Sequence, residues 1–259
     1  MMIQYNVAGN VKGDVVVFIN GAGVGPWMWN NQVKHFTSKK CITFDLPGHG
    51  LNSDIDFTTI EDCAILIKKI ILKESKSKKA ILIGHSIGAQ IIMFMLEHYE
   101  DVIDKAIIIS GLNKPMPFVN AMVKPMIACT MPLVKLKIFA KVQSKQLSIP
   151  DSMFDDYYKD SLKISKETFS HILYENSNYS FQNKSRVKVD TLILVGENEK
   201  KIMKESANKN KALLENSIGY IVKNASHGIP YEQSDLLNYA VDCFINSKEI
   251  VDKNLIVLK

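Results

Sequence analysis

The residues Ala80–Gln90 constrain the fold of this chain more than any other stretch. Four apolar residues lead into Gly84, Ser86 follows, and Gly88 opens an apolar segment of helical character. This order predicts a buried strand, a very sharp turn with Ser86 at its apex, and a helix. A side chain at either glycine would collide where the helix folds back on the strand. The pattern therefore predicts a serine hydroxyl raised clear of a sheet, beside a helix N-terminus.

Strand-like and helix-like segments alternate on both sides of this motif. The helical spacing that starts at Thr59 is amphipathic, and several other runs are apolar on both faces. This alternation predicts an α/β fold with a mainly parallel central sheet flanked by helices. The predicted strands are Ile3–Val7, Asp14–Ile19, Cys41–Phe44, Ala80–Ile83, Ala106–Ile109, Thr191–Gly196 and Gly219–Val222, and the last helix is Ser234–Ile245.

The alternation stops between residues 112 and 183. Prolines occur early in this stretch, methionines are frequent, and helical patterns recur near 152–162 and 165–176. An all-helical cap inserted between two halves of a sheet accounts for the change, with residues 1–111 and 184–259 as the core. Prolines 115, 117, 125 and 132 are expected to break a continuous amphipathic helix, which disfavours a membrane-surface role for the cap.

Composition and charge exclude several classes of function. The net charge of +5 comes from lysines spread along the chain without a dense basic block, so no nucleic-acid partner is expected. The four cysteines lack close pairing or metal-ligand spacing with histidine, which predicts reduced thiols and no metal site. The N-terminus resembles no signal peptide, and no segment has transmembrane length without charges. We therefore expect a cytoplasmic protein without stable membrane insertion, while its oligomeric state stays open.

A serine hydroxyl becomes a useful nucleophile only when a base removes its proton. His227 follows the last predicted strand and precedes the last helix, which places it at the sheet edge where Ser86 emerges. His85 is expected to point away from the apex and to be structural. For His49, in the turn after a strand, a structural hydrogen bond is the favoured interpretation. We therefore predict His227 as the base.

The histidine base needs an acidic side chain to fix its tautomer. The oxyanion that develops on the substrate needs two hydrogen-bond donors that are already in position. Glu197 and Glu199 both lie in the loop after a predicted strand that ends at Gly196. Glu199 is the preferred acid, with Glu197 as the alternative. The backbone N–H groups of Ile87 and Ala22 are the predicted oxyanion donors.

Five short segments in this order resemble the signposts of the α/β-hydrolase superfamily: Asn20–Gly23, Asp45–Gly50, Gly84–Gly88, Gly196–Glu199 and Ala225–Gly228. The similarity covers roughly residues 1–111 and 184–259. Family members usually carry His-Gly where this chain has Asn20-Gly21, which removes a side chain that commonly braces the oxyanion loop. They usually carry Asp where this chain has Glu199. The resemblance implies the Ser86–Glu199–His227 triad, no cofactor or metal, and esterase, lipase or thioesterase chemistry.

The resulting hypothesis is a serine hydrolase that cleaves an ester or thioester of a small or medium apolar acyl compound through an acyl-enzyme on Ser86. We expect a mobile cap to supply the acyl pocket, with Met122, Met126 and Trp27 as candidate lining residues, because methionine suits variable apolar ligands. Fold and triad do not fix a reaction. A non-hydrolytic or carbon–carbon-cleaving enzyme, and a slow-turnover ligand-binding member of the fold, remain as alternatives.

Overall fold

The computed structural model describes residues 3–184 and 186–258. The strands are β1 (Asn6–Gly9), β2 (Val15–Ile19), β3 (Lys40–Thr43), β4 (Ala80–His85), β5 (Ile103–Ile109), β6 (Thr191–Gly196), β7 (Ser217–Val222) and β8 (Leu255–Val257). The α-helices are α1 (Asn30–His35), α2 (Ile60–Glu74), α3 (Ile87–His98), α4 (Pro117–Thr130), α5 (Lys137–Gln146), α6 (Phe154–Ser161), α7 (Lys166–Asn178), α8 (Lys201–Leu213), α9 (Ile229–Glu232) and α10 (Ser234–Ile245).

The described strands form one sheet in the order β1-β3-β2-β4-β5-β6-β7-β8. The six inner strands are parallel, while β1 pairs antiparallel with β3 and β8 pairs antiparallel with β7. The predicted α/β fold with a mainly parallel sheet is confirmed. The first strand begins at Asn6 rather than Ile3, and β8 was not predicted because three residues carry little periodic signal.

Both faces of the sheet are covered, which explains why its central strands are apolar throughout. Along β2, Val15, Val17 and Ile19 enter one buried cluster, and Val16 and Phe18 enter the other. The first cluster packs under α2, α3 and α8, and the second packs under α10. Alternate strand residues point to opposite faces, so each strand supplies two layers of core at once.

The turn from β4 into α3 has the tight packing that its glycines predict. A Cβ atom on Gly84 would lie 2.5 Å from the carbonyl oxygen of Gly88. A Cβ atom on Gly88 would lie 2.3 Å from the carbonyl oxygen of Ile19, at the end of the neighbouring strand. Both contacts are far below van der Waals distance, so these two positions require glycine. At the apex, Ser86 has φ of 57° and ψ of −116°.

Helices α4–α7 lie between β5 and β6, where the sequence predicts the cap. The two predicted helical stretches appear as α6 and α7, and the Ser165 side chain caps α7 by accepting from the Thr168 N–H. The expectation that prolines interrupt the helix is wrong for Pro125, because α4 continues through it. The exact core–cap boundaries stay a prediction. Among the described residues, no helix has both the length and the apolarity needed to cross a bilayer.

Candidate active site

Ser86 lies at the carboxyl edge of the sheet and lines a cavity of about 280 Å³. Its positive φ is a conformation that non-glycine residues adopt at a cost of about 1–3 kcal/mol. Ala22, in the loop after β2, and His227, in the loop after β7, line the same cavity. The Ile87 N–H begins α3 directly after the serine, so the positive end of a helix faces this region.

His227 is hydrogen-bonded to a buried carboxylate. Its Nδ1 lies 2.9 Å from Oε2 of Glu199, whose side chain is 2% exposed, while the His227 side chain is 26% exposed. The carboxylate accepts from Nδ1–H, which leaves the His227 Nε2 lone pair free to accept a proton. Glu197 instead accepts from the backbone N–H of Asn224 at 3.0 Å. Of the two candidate acids, the structure therefore brings Glu199 to the histidine, although the catalytic roles themselves stay predictions.

The second oxygen of Glu199 is held by two donors. Its Oε1 accepts from the Ser110 hydroxyl at 2.5 Å and from the Gly196 N–H at 3.1 Å. Ser110 follows β5 directly and has a φ of 53°. Sequence reasoning missed Ser110 as a hydrogen-bond donor to the acid. The signal was its position, since β5 and β6 are neighbours and their carboxyl ends meet.

His85 does not point away from the site as expected. It lines the cavity, its ring centroid lies 4.6 Å from that of His227, and its Nε2–H donates to the His227 carbonyl oxygen at 2.6 Å. Burial, and then the neighbouring His227, lower the pKa of His85 to about 3. A neutral imidazole therefore ties the serine turn to the backbone of the histidine loop, which keeps the predicted structural role but corrects the predicted direction.

Hydrogen bonds hold the loop that carries Ala22, although this chain has Asn20 where family members usually carry a histidine. The Asn20 side chain donates to the Phe44 carbonyl at 2.9 Å and accepts from the Trp29 indole N–H at 2.9 Å. The buried His49 accepts the Gly23 N–H at Nε2 and donates from Nδ1 to the Pro47 carbonyl, both at 3.0 Å. Asn20 and His49 together fix the backbone next to the predicted oxyanion donor.

The residues that line the cavity differ from the three predicted as lining residues. Trp27, Met122 and Met126 are not among its described lining residues. The Trp27 indole N–H donates to Asp160, and Met122 and Met126 are 49% and 40% exposed on the outer side of α4. The cavity is lined instead by neutral cap side chains: Thr130, Met131, Val134, Gln143, Gln146, Leu147, Tyr157, Ser161, Ile164, Phe169, Leu173 and Asn176.

Within the described part of the chain, no group of three His, Cys, Asp or Glu is arranged to hold a metal ion.

Removing the Ser110 hydroxyl should lower kcat/KM about tenfold, because the buried Glu199 carboxylate loses a charge-assisted hydrogen bond that orients it. Ser110→Ala and Ser110→Gly should lose activity equally, since both remove the donor. Only glycine relieves the positive φ, so the glycine variant should be the more stable. Unchanged kcat/KM in both variants would leave Ser110 with a packing role alone.

Acid should destabilise the fold through His49 and His85. Burial lowers the pKa of both imidazoles, whereas in the unfolded chain their pKa returns to about 6.5. Below about pH 6.5 the unfolded state binds more protons than the folded state. The free energy of unfolding therefore decreases as the pH falls below this value, whereas above it the contribution of the two neutral histidines is complete. Each histidine can contribute up to about 1.4 kcal/mol per pH unit. Urea unfolding between pH 7.5 and 5 measures this slope, which should be shallower in His49→Gln; an identical slope would exclude His49 as a contributor.

The α/β-hydrolase fold is defined by two features of this structure. One is a mainly parallel sheet with a serine at a strained strand–helix turn, and the other is a histidine–carboxylate pair at the same edge of that sheet. A family model described as the alpha/beta hydrolase family matches residues 16–238. Because this match covers most of the chain, the chain belongs to that family.

Two curated relatives and one solved structure illustrate the similarity. The chain is 31% identical over 97 residues to "Putative methylesterase 12, chloroplastic" of Arabidopsis thaliana, covering 36% of this chain and 28% of that protein. It is 28% identical over 79 residues to "Putative 2-succinyl-6-hydroxy-2,4-cyclohexadiene-1-carboxylate synthase" of Haemophilus influenzae, covering 30% and 32%. Each alignment thus spans less than a third of the relative's own length. A thermophilic esterase from Thermogutta terrifontis superposes with a TM-score of 0.81 at 17% identity, covering 95% of this chain and 93% of that one, which shows the fold alone.

Proposed function

We propose that this hydrolase cleaves a neutral ester or thioester of a small or medium apolar acyl compound through an acyl-enzyme on Ser86. One observation carries the proposal: Ser86 and a histidine held by a buried carboxylate line the same cavity. The similarity to a methylesterase and to the fold of an esterase supports the same chemistry. The free cysteines, three of them buried, support the cytoplasm as the proposed location.

In the proposed mechanism, the Ser86 oxygen attacks the acyl carbonyl carbon while His227 Nε2 takes the hydroxyl proton. The N–H groups of Ile87 and Ala22 stabilise the resulting oxyanion. The C–O or C–S bond to the leaving group then breaks, and His227 returns its proton to that group. Water attacks the acyl-enzyme by the same steps, which releases the acid and restores Ser86. Glu199 keeps His227 in the required tautomer and stabilises its charged form.

The character of the cavity supports a neutral substrate. Its described lining residues include no lysine, arginine, aspartate or glutamate, and the only arginine of the chain, Arg186, precedes β6 and is not among them. A ligand carboxylate would lose its hydration there without a cationic partner, which is unfavourable. Cap residues 112–183 contribute most of the apolar wall, and we propose that they act as the acyl-binding lid.

A non-hydrolytic reaction is the second candidate, and the Haemophilus influenzae relative is the observation that favours it. The name of that relative denotes a product with a succinyl group and a ring carboxylate. Recognition of two carboxylates calls for cationic side chains. The cavity offers none among the side chains described here, so the hydrolase is the better supported function.

The proposal is tested with a fluorophosphonate probe and a panel of p-nitrophenyl esters. We expect labelling at Ser86 and steady hydrolysis of neutral acyl esters. The butyrate and hemisuccinate esters form a matched pair of equal acyl length, and the charged one should be at least about tenfold poorer. A preference for the hemisuccinate would indicate a carboxylate-bearing substrate. Labelling followed by a single burst without turnover would favour the ligand-binding alternative, and an absence of both labelling and hydrolysis would reject serine chemistry.

A further inference from the structure

The outward side of α4 exposes large apolar side chains that the catalytic proposal does not use. Phe118, Met122 and Met126 are 80%, 49% and 40% exposed, and their four-residue spacing places them on one face of the helix. Val123 and Ile127 already bury the opposite part of the helix in the protein, at 4% and 0% exposure. The exposed row is therefore additional to what α4 needs for packing on the cap.

Further large apolar side chains are exposed in the next turn and helix. Leu133 and Leu136 are 40% and 56% exposed, and Ile138 and Val142, one turn apart on α5, are 84% and 53% exposed. We use the term cap face for these side chains together: Phe118, Met122, Met126, Leu133, Leu136, Ile138 and Val142. Single exposed apolar residues need no explanation, but seven within residues 118–142 indicate an interaction surface.

The charge of this segment is entirely positive. Residues 112–150 contain six lysines and no aspartate or glutamate, so this stretch alone exceeds the net charge of +5 of the whole chain. On α5, Lys137, Lys141 and Lys145 form a row beside Ile138 and Val142. Lys141 pairs with Asp151, whereas Lys135, Lys137 and Lys145 are exposed residues.

We propose that the cap face binds the surface of an anionic lipid bilayer. Apolar side chains flanked by lysines match the two components of such a surface, the acyl boundary and the anionic headgroups. The sequence-based objection, that prolines interrupt the helix, does not hold within α4, because this helix runs through Pro125, whereas Pro132 lies in the turn between α4 and α5.

The binding is peripheral, and it does not depend on the proposed reaction. Thr130, Met131 and Val134 of the same segment line the cavity from inside, so a protein bound through the cap face would hold its cavity next to the lipid. A binding measurement therefore tests this proposal whether or not Ser86 is reactive.

Co-sedimentation with vesicles tests the proposal directly. The protein should bind phosphatidylcholine vesicles containing about 30% phosphatidylglycerol, and should not bind vesicles of phosphatidylcholine alone. Binding should weaken strongly between about 0.05 M and about 0.5 M salt, because screening shortens the range of the attraction. The exposed Cys129 lies on the same face of α4 and the other three cysteines are buried, so a polarity-sensitive thiol dye should report the contact by a blue shift.

Matched variants separate the two components of the surface. Lys135→Gln/Lys137→Gln/Lys145→Gln should lower vesicle affinity roughly a hundredfold, at roughly fivefold per lysine. The control Lys12→Gln/Lys79→Gln/Lys188→Gln makes the same charge change on exposed lysines just before or between strands at the opposite, amino edge of the sheet, and should bind like wild type. Phe118→Ser/Ile138→Ser should abolish the blue shift while the circular dichroism spectrum and melting temperature stay unchanged, because both side chains are exposed.

Three results would overturn the proposal. The first is equal affinity of the two lysine variants for the anionic vesicles, and the second is no binding by the wild type. The third is a concentration-dependent dimer in sedimentation velocity, lost in Phe118→Ser/Ile138→Ser and unaccompanied by vesicle binding, which would assign the cap face to a second copy of the chain.

Discussion

Ser86→Ala should abolish labelling by a fluorophosphonate and lower kcat/KM for a neutral ester by at least about a thousandfold. The alanine removes the atom that forms the acyl-enzyme, and a histidine–carboxylate pair without its nucleophile retains only the residual catalysis of binding and oxyanion stabilisation. The serine is partly exposed at the cavity, so its hydroxyl contributes little to the core. Near-native ester hydrolysis by the alanine variant would reject the proposed mechanism.

Ser86→Gly supplies the matched variant for this experiment. It removes the same hydroxyl and should be equally inactive, but it also relieves the φ of 57° that a Cβ atom makes unfavourable. We expect the glycine variant to exceed the alanine variant in free energy of unfolding by about 1 kcal/mol. Urea unfolding of both variants measures the difference. Equal stabilities would mean that the turn stores no strain at the serine.

The sequence predicts those parts of the site whose geometry depends on local backbone rules. A Cβ atom on Gly84 or Gly88 would lie only 2.5 or 2.3 Å from a backbone oxygen, so both positions require glycine. The strand–turn–helix motif can therefore be predicted from the sequence alone. His227 and Glu199 follow from a simple topological rule, because loops after parallel strands meet at one edge of the sheet. Such features need no knowledge of how the rest of the molecule packs.

Side-chain direction in the cap could not be predicted in the same way. Helix α4 is apolar over much of its circumference, so periodicity does not reveal that Val123 and Ile127 face inward while Met122 and Met126 face outward. The braces around the site are also long-range. Ser110 lies 89 residues before Glu199, and His85 lies 142 residues before His227. Contacts of this kind are fixed only when the strands and loops assemble.

Glu199→Gln should lower kcat/KM about a thousandfold to ten-thousandfold, whereas Glu197→Gln should change it by no more than about threefold. The Ser110 hydroxyl and the Gly196 N–H both donate to Oε1 of Glu199, so the amide oxygen of a glutamine will take that position. Its NH₂ group must then face Nδ1 of His227, where the carboxylate accepted a hydrogen bond. That donor places the histidine proton on Nε2 and removes the lone pair that must accept the proton of Ser86.

Glu197 differs because it accepts only a backbone N–H in the described contacts, that of Asn224, and makes none with His227. Its conversion to glutamine keeps an acceptor oxygen for that bond, which makes it the matched control for charge and size. The measurements are kcat/KM of both variants with the same neutral ester and their rates of fluorophosphonate labelling. For Glu199→Gln the labelling rate should fall in parallel with kcat/KM, because labelling also requires removal of the serine proton. The reverse ranking would move the acid to Glu197, and small equal losses would mean that His227 works without either carboxylate.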